Sequence, residues 1–116
     1  MTHHSDAAWI IDMLHVMRRI VAETDGISFP IYLNDGRLQR SCLYDLMVLG
    51  EASGNLSDEF KDKYGRIPWH QMTGLRNRLI HEYFNVNHAI VWEVLTNEIP
   101  DLLPLVETLS SELDQQ

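Results

Sequence analysis

Apolar residues recur at intervals of three and four along the whole chain, and this spacing restricts the fold more than any other feature. The stretch WIIDMLHVMRRI is typical, and no stretch alternates apolar and polar residues long enough to predict a strand. Such spacing is typical of amphipathic helices. The sequence therefore predicts an all-α domain.

Capping residues, glycines and prolines divide the chain into six predicted helices. With their capping residues, these run from Ser5 or Asp6 to about Thr24, from Asn34 or Asp35 to 50–54, from Ser57 to Gly65, from Pro68 to Phe84, from Asn87 to Ile99 and from Pro100 to Gln115. The segment TDGISFP separates the first two. Because short connections favour antiparallel neighbours, we expect one domain over residues 1–116. Its predicted architecture is an up-and-down bundle of four main helices with short additional ones.

The length of 116 residues allows a hydrophobic core without covalent cross-links. Cys42 is the single cysteine and lies in the apolar run SCLYDLMVLG, so we expect a packed thiol rather than a nucleophile. The sequence opens with no charged-then-apolar leader, and no apolar run approaches the ~20 residues needed to span a bilayer. We expect a cytoplasmic protein with soluble partners and no membrane role.

The formal net charge of −8 argues against a non-specific nucleic-acid binder, which usually has a broad basic surface. All nine Lys and Arg residues lie in residues 1–78 with ten acids, whereas residues 79–116 contain seven acids and no Lys or Arg. The cations are therefore pooled where a phosphate could bind. The acidic third is either a solvated helix face or a surface for a basic partner.

The segment RNRLIHEYF, residues 76–84, concentrates reactive side chain types in the predicted fourth helix. On a helical wheel of the whole predicted fourth helix, the apolar residues cover about half of the circumference, and Arg76 lies at the centre of that arc. This width suits packing on two sides, with a second subunit as one candidate neighbour. A guanidinium there needs an anion, because burying an unpaired charge costs several kcal/mol. The anion is either an internal carboxylate, for which Asp12, Asp45 and Glu51 are candidates, or a phosphate in a cleft between subunits.

His81 lies about 140° from Arg76 on this wheel and shares its stripe with Asn77 and Gly74. It is either a structural histidine or part of a reactive site with the arginine and the amide. Gly74 in mid-helix suggests close approach by a backbone or a ligand. For Tyr83 we expect the ring to pack in the apolar arc and the hydroxyl to point outward.

The sequence does not match a zinc-protease motif or a phosphate-binding-loop motif. His81-Glu82 would need a histidine at position 85 to form a zinc-protease motif, and Asn85 stands there. His3 and His4 lie at the N-terminus, where a weak metal site is the most they could form. GEASG lacks the spacing of a phosphate-binding loop. We therefore predict no metal site.

Residues 76–83, RNRLIHEY, resemble the Rx4HxY motif of the HEPN superfamily, specifically that of HepT-type toxins. Further features are similar to the same family in the same order: the WIIDMLHVMRRI helix, Leu49-Gly50-Glu51-Ala52 closing the second helix, Ile67-Pro68-Trp69 before the motif, Gly74-Leu75 leading into it and Val91-Trp92 after it. The resemblance covers nearly the whole chain.

This resemblance implies an all-α homodimer in which two motifs line a cleft at the subunit interface, with metal-independent endoribonuclease activity. Arg76 and His81 would be the catalytic pair, supported by Asn77 and Glu51. The RNA substrate would be a tRNA or an mRNA. Candidate rim cations for that RNA are Arg18, Arg19, Arg37, Arg40 and Arg78.

The resemblance also implies a type VII-like toxin–antitoxin system. Its antitoxin would be a cognate minimal nucleotidyltransferase that forms a hetero-oligomer with the toxin and transfers AMP from ATP to the motif tyrosine, Tyr83. The toxin itself would need no cofactor. An AMP group there would block the site by charge and by volume.

The residue types suit RNA cleavage without a metal. The 2′-hydroxyl of the substrate can attack the neighbouring phosphate when a base near neutral pKa accepts its proton. His81 would be that base or the acid for the leaving oxygen, and Arg76 would bind the phosphate oxygens. The second proton-transfer role could come from the partner's His81. The alternative hypothesis is a non-catalytic helical module that docks a nucleotidyltransferase.

Overall fold

The computed structural model describes residues 5–82 and 85–115, without the side chains of Arg76, Ile80, His81 and Glu82. The elements in chain order are α1 (Asp6–Thr24), α2 (Phe29–Leu33), α3 (Gly36–Asn55), α4 (Asp58–Lys63), α5 (Trp69–Thr73), α6 (Leu75–Leu79), β1 (Ile80–Glu82), β2 (Asn85–Val86), α7 (His88–Glu93), a π-helical turn (Val94–Glu98) and α8 (Ile99–Asp114). The predicted all-α class is confirmed.

Side-chain caps begin four of the helices as predicted. Ser5, Asp35, Ser57 and Asn87 each accept a hydrogen bond from the backbone N–H three residues later. Such caps satisfy donors that have no partner within the helix. Of the predicted alternatives, Ser5 caps α1 while Asp6 accepts hydrogen bonds from the backbone N–H and hydroxyl of Ser57, at 2.9 and 2.8 Å.

The core lies where α1 packs against α3 and α8. These helices have apolar residues at helical spacing that are fully or almost fully buried, among them Ile10, Met13, Met17, Ile20, Leu46, Leu49, Val106 and Leu109. Burying an apolar side chain of this size contributes about 1.5–3 kcal/mol. None of the described helices is long and apolar enough to cross a membrane.

The connection between α1 and α3 contains a short helix that was not predicted. Gly26 has a φ of 71°, a left-handed conformation that glycine adopts without strain, and it follows directly after α1 and its cap. Ser28 then caps α2, and Pro30 occupies its first turn, where a missing N–H costs nothing. Tyr32 of α2 is fully buried.

The predicted single helix from Pro68 to Phe84 is wrong. Gly74 ends α5, and its N–H donates to the carbonyls of His70 and Met72. α6 then ends at Leu79, and β1 and β2 form an antiparallel pair in which Ile80 faces Val86. Glycine has low helix propensity, and the β-branched and aromatic residues after Leu79 suit extended backbone, so local preference favours the interruption.

The two helices predicted at the C-terminus form one continuous helix from His88 to Asp114. They join through the π-helical turn, in which the N–H of Ile99 donates to the carbonyl of Val94, five residues earlier. Pro100 follows this turn. It has no N–H, and its ring crowds the carbonyl four residues earlier, so a widened turn accommodates it without ending the helix.

Candidate functional site

The RNRLIHEYF motif lies in the segment of residues 69–86, whose described part comprises α5, α6, β1 and β2. Four apolar residues of this segment, Trp69, Met72, Leu75 and Leu79, are buried, as the predicted apolar arc requires. The backbone of Arg76 lies in α6 and that of His81 in β1. Their predicted 140° separation on one helix therefore does not hold, because no single helix contains both.

α3 fixes the start of this segment through a close backbone approach. A Cβ atom on Gly50 would lie 3.3 Å from the carbonyl oxygen of Met72 and 3.6 Å from that of Thr73. The hydroxyls of Ser53 and Thr73 are hydrogen-bonded at 3.0 Å. Glycine suits position 50 because the Cβ of a larger residue would press on the backbone of α5.

The end of the segment is tied to α7. The N–H of Asn87 donates to the carbonyl of Leu79 at 3.3 Å, while the side chain of Asn87 caps α7 through the N–H of Ile90. Asn87 thus connects the end of α6 to the start of α7. Tyr83 and Phe84, the last two residues of RNRLIHEYF, lie outside the described residues.

An ion pair holds α6 against the π-helical turn. The Arg78 guanidinium donates to both carboxylate oxygens of Glu98, at 3.1 and 3.0 Å, and Gln71 of α5 also donates to Glu98. The hydrogen bond from Arg78 is the main cause that lowers the pKa of Glu98, and burial opposes it. The pKa of Arg78 is correspondingly raised. Arg78, predicted as a rim cation, is therefore engaged by a carboxylate of its own chain.

A shallow groove of about 500 Å³ lies beside this ion pair. Its walls include Asn77, Arg78, Asn87, Ile90 and Glu98. Asn77, the predicted supporting amide, is exposed to solvent there. The groove therefore lies between α6 and α7 and contains the amide of Asn77, the capping amide of Asn87 and one paired guanidinium.

Glu51, the other predicted supporting residue, lines a separate groove of about 250 Å³ with Gly50 and Thr73. It is exposed, and one of its carboxylate oxygens accepts a hydrogen bond from the Asn55 amide at 3.3 Å. No described contact joins Glu51 to Asn77. The two supporting residues line different grooves.

Two of the other candidate rim cations also have carboxylate partners. Arg19 donates to both oxygens of Asp45, at 2.9 and 2.6 Å, and Arg18 pairs with Glu107 at 3.1 Å. Asp45, a predicted partner for Arg76, thus already accepts a bidentate pair from Arg19. The side chain of Arg76 lies outside the described residues, so the identity of its anion stays a prediction.

Arg37 and Arg40 differ from these cations. Both are exposed, and among the described side chains no carboxylate lies within 4 Å of either guanidinium. They remain the candidate rim cations that are available to an external anion.

Sequence comparison assigns the chain to a family. The family model described as "Ribonuclease HepT-like" matches residues 13–109, which include the whole of the RNRLIHEYF segment. This chain belongs to the HepT-like ribonuclease family.

Curated relatives of this HepT-like chain agree with the assignment. MJ0127 of Methanocaldococcus jannaschii, named for an RNase assignment, is 34% identical over 107 residues, which cover 92% of this chain and 88% of the relative. TTE0752 of Caldanaerobacter subterraneus, also named for an RNase assignment, is 42% identical over 83 residues, covering 72% and 74%. A Thermococcus cleftensis protein assigned as ribonuclease HepT is 33% identical over 106 residues, covering 91% and 94%. No solved structure matches the chain significantly.

The HepT-like chain also contains a polar pair that sequence reasoning missed. The hydroxyl of buried Tyr32 is hydrogen-bonded to Nδ1 of His88 at 2.8 Å, and burial raises the pKa of this tyrosine. The rings of Phe29 and Trp92 pack beside Tyr32. The two bonded residues are 56 positions apart, so no local pattern could indicate the pair. It anchors the start of α7, which follows β2 in the chain.

Cys42 is fully buried, as expected, and burial raises its pKa to about 12. A thiol with such a pKa is almost entirely protonated near neutral pH and is a poor nucleophile. Within the described part of the chain, no group of three His, Cys, Asp or Glu side chains could hold a metal ion.

Proposed function

We propose that this protein is the toxin of a type VII-like toxin–antitoxin pair and acts as a metal-independent endoribonuclease. The observation that carries the proposal is the HepT-like family match over residues 13–109, within which residues 76–83 read RNRLIHEY. Relatives that align over most of their length are named for RNase activity. The proposed catalytic residues are Arg76 and His81, with Asn77 and Glu51 in support.

The proposed chemistry uses the 2′-hydroxyl of the RNA as the nucleophile. His81 accepts its proton, the oxygen attacks the adjacent phosphorus, and the 5′-oxygen leaves with a proton from a second acid. Arg76 stabilises the negative charge on the non-bridging oxygens, a role that its planar donors suit better than lysine does. We propose that the second acid is the partner's His81 in a homodimer, since the chain offers one motif histidine.

The position of the motif supports an intersubunit site. α6 has five residues, contacts α3 and α5, and is tied to Glu98 through Arg78. Asn77 is exposed in a groove that is shallow within one chain. A second copy placed over this groove would convert it into a cleft with two motifs, which is the arrangement that the proposed chemistry requires.

RNA cleavage with a metal chelator present is the direct test. Purified protein is expected to cut a defined pool of RNAs in excess EDTA, and His81→Ala should lose at least about 100-fold in rate, as expected for loss of a general acid–base group. His15→Ala, which removes an exposed histidine of α1, is the matched control and should cleave normally. Equal activity in the His81→Ala and parent proteins would exclude the proposed mechanism.

Regulation by AMP transfer to Tyr83 forms the second part of the proposal. A cognate minimal nucleotidyltransferase would bind the toxin in the cytoplasm and use ATP as the AMP donor. The added phosphate would place negative charge beside the anion-binding Arg76 and compete with RNA. Intact-mass measurement after co-expression should show added AMP on the parent and on Tyr44→Phe, but none on Tyr83→Phe.

A non-catalytic docking module is the second candidate function. The observation that favours it is the acidic balance of the chain, −8 overall with seven acids and no Lys or Arg in residues 79–116, which disfavours RNA and suits a basic protein partner. Expression in cells separates the two candidates. The nuclease predicts growth arrest that Arg76→Ala and His81→Ala relieve, whereas the docking module predicts that both variants behave like the parent.

A further inference from the structure

One face of α3 exposes a continuous line of side chains that the core does not use. Its members are exposed and follow one another at intervals of three and four: Arg37, Arg40, Tyr44, Met47 and Glu51. We call this line the α3 ridge. At about 1.5 Å per residue it is roughly 21 Å long.

Tyr44 is the most prominent group on the ridge. Its relative exposure is 67%, higher than that of any other large hydrophobic side chain in the described part of the chain. Packing does not explain an aromatic ring that is mostly in solvent, whereas aromatic rings of this kind are available for stacking.

The charges beside Tyr44 differ from those elsewhere. Arg18, Arg19, Arg66 and Arg78 each pair with a carboxylate of the chain, but no described carboxylate lies within 4 Å of the guanidinium of Arg37 or Arg40.

Helix stability does not account for these two arginines. Both are in the first turns of α3, where positive charge opposes the helix dipole and costs a few tenths of a kcal/mol or more. They are one and two turns before Tyr44 on the same face. The ridge therefore presents two available cations and one available ring.

The ridge leads to the motif segment. Glu51 is its last member, and its neighbour Gly50 approaches the backbone of Met72 and Thr73. A strand of RNA lying along the ridge would therefore reach α5 at Thr73, which lines the same groove as Met47 and Glu51.

We propose that the α3 ridge binds single-stranded RNA, with one base stacked on Tyr44 and the flanking phosphates bound by Arg37 and Arg40. This inference rests on the proposed ribonuclease function. A base must leave its stack in a duplex before it can stack on a protein ring, so the ridge selects single strands over duplexes. A short local site of this kind also explains how a chain with a net charge of −8 can bind RNA.

Binding of a short fluorescein-labelled oligouridylate, followed by anisotropy in a His81→Ala background, tests the ridge without cleavage. Tyr44→Ala is expected to weaken binding about 10-fold, the effect of losing one stacked base, while Tyr44→Phe keeps the ring and stays within about twofold of the parent. A duplex of the same length should bind more weakly and should not respond to Tyr44→Ala.

Salt dependence separates the arginines from the ring. Arg37→Ala and Arg40→Ala should each reduce the slope of log K against log salt concentration by about 0.7, the value for one phosphate contact on a single strand. Tyr44→Ala should leave the slope unchanged. Arg66→Ala is the matched control, because it removes an exposed arginine that pairs with Glu112, and it should leave both affinity and slope unchanged.

Three results would overturn the proposal. The first is parental affinity in Tyr44→Ala, and the second is the absence of any oligouridylate binding. The third is a smaller particle mass for Tyr44→Ala by light scattering, which would identify the ridge as a contact between copies of the chain. If the parent protein still cleaves RNA in EDTA, these results overturn the ridge alone, whereas loss of that cleavage would overturn the proposed function as well.

Discussion

The α1–α3 pair and the segment of residues 69–86 are stabilised in different ways. α1 and α3 contain 19 and 20 residues and bury apolar side chains along their length. α5 and α6 contain five residues each, too few to be stable alone, since helix nucleation is unfavourable. The segment depends on contacts with α3, α7 and the π-helical turn. Damage to the long pair should therefore unfold the protein, while damage to the segment should loosen it locally.

A core truncation in α3 should give the largest effect. Leu46 is fully buried, and Leu46→Ala is expected to reduce the free energy of unfolding by about 2–5 kcal/mol, because it removes apolar contacts and leaves a cavity. Urea denaturation measures this loss. Met47→Ala, at the adjacent exposed position, should stay within about 0.5 kcal/mol of the parent. Similar losses for both variants would contradict the description of α3 as buried along one face.

The ion pair between α1 and α3 should contribute less. Asp45 is almost completely buried and Arg19 is half exposed, so Asp45→Asn is expected to cost about 1–2 kcal/mol after allowance for solvent screening. The same urea experiment measures it. Exchange of amide hydrogens in residues 69–86 should rise only as far as global stability falls, and a selective rise there would show that the two regions are not independent.

Loss of the ion pair in the motif segment should change local amide exchange more than global stability. Glu98→Gln leaves Arg78 without its charged partner, and we expect amide exchange in α6 and β1 to become about five- to tenfold faster with little change in the urea midpoint. Glu107→Gln, which removes the exposed partner of Arg18, is the matched control and should leave this exchange unchanged. A large shift in the urea midpoint would mean that the segment unfolds together with the core.

Acid should weaken the same contact. Because the folded state lowers the pKa of Glu98, the ionised carboxylate stabilises the fold above the ordinary glutamate pKa, and this contribution disappears as the pH falls through the lower folded value. The parent protein should therefore lose protection of α6 at a pH below the usual range for glutamate, near 4.3. Glu98→Gln, compared at each pH, should show no such loss at α6, and an equal loss would assign the transition to other carboxylates.

Two glycines of α3 should give the smallest effect. The Cβ of Gly54→Ala would lie 3.5 Å from a Thr73 methyl group, an ordinary van der Waals contact. The free energy of unfolding should therefore rise by up to about 1 kcal/mol, because alanine has the higher helix propensity. Gly50→Ala meets the backbone of Met72 at 3.3 Å and should gain nothing. Thermal unfolding of the two variants measures the difference, and equal stabilisation would show that α5 can move away from α3.

The sequence predicted the long helices well because their signals are local. Ser5, Asp35, Ser57 and Asn87 cap helices at the positions that their residue types indicate, and periodic apolar residues identify the buried faces. The prediction of one continuous helix after Pro68 is wrong because the apolar spacing continues past Gly74, whereas α5 ends at Thr73. Spacing reports which face is buried, and it says little about whether five residues stay helical.

The polar partners of the site depend on positions far apart in the chain. Asp45 pairs with Arg19 across 26 positions, and Glu98 pairs with Arg78 across 20, so neither pairing follows from a local pattern. The sequence shows that the last third of the chain is acidic and that all nine Lys and Arg residues precede it, but only the packing determines which acid pairs with which arginine. The roles of Arg76, His81 and Tyr83 stay predictions that the cleavage and mass experiments will test.

The π-helical turn has a consequence for the register of the C-terminal helix. One additional residue in a helix rotates everything after it by about 100° relative to a regular α-helix. α7 can thereby meet α6 while α8 keeps its apolar face against α1. Removing a single residue between Val94 and Glu98 would turn α8 by about a quarter of a circle on the core. Chain length at this one point, independent of side-chain chemistry, therefore couples the motif segment to the rest of the domain.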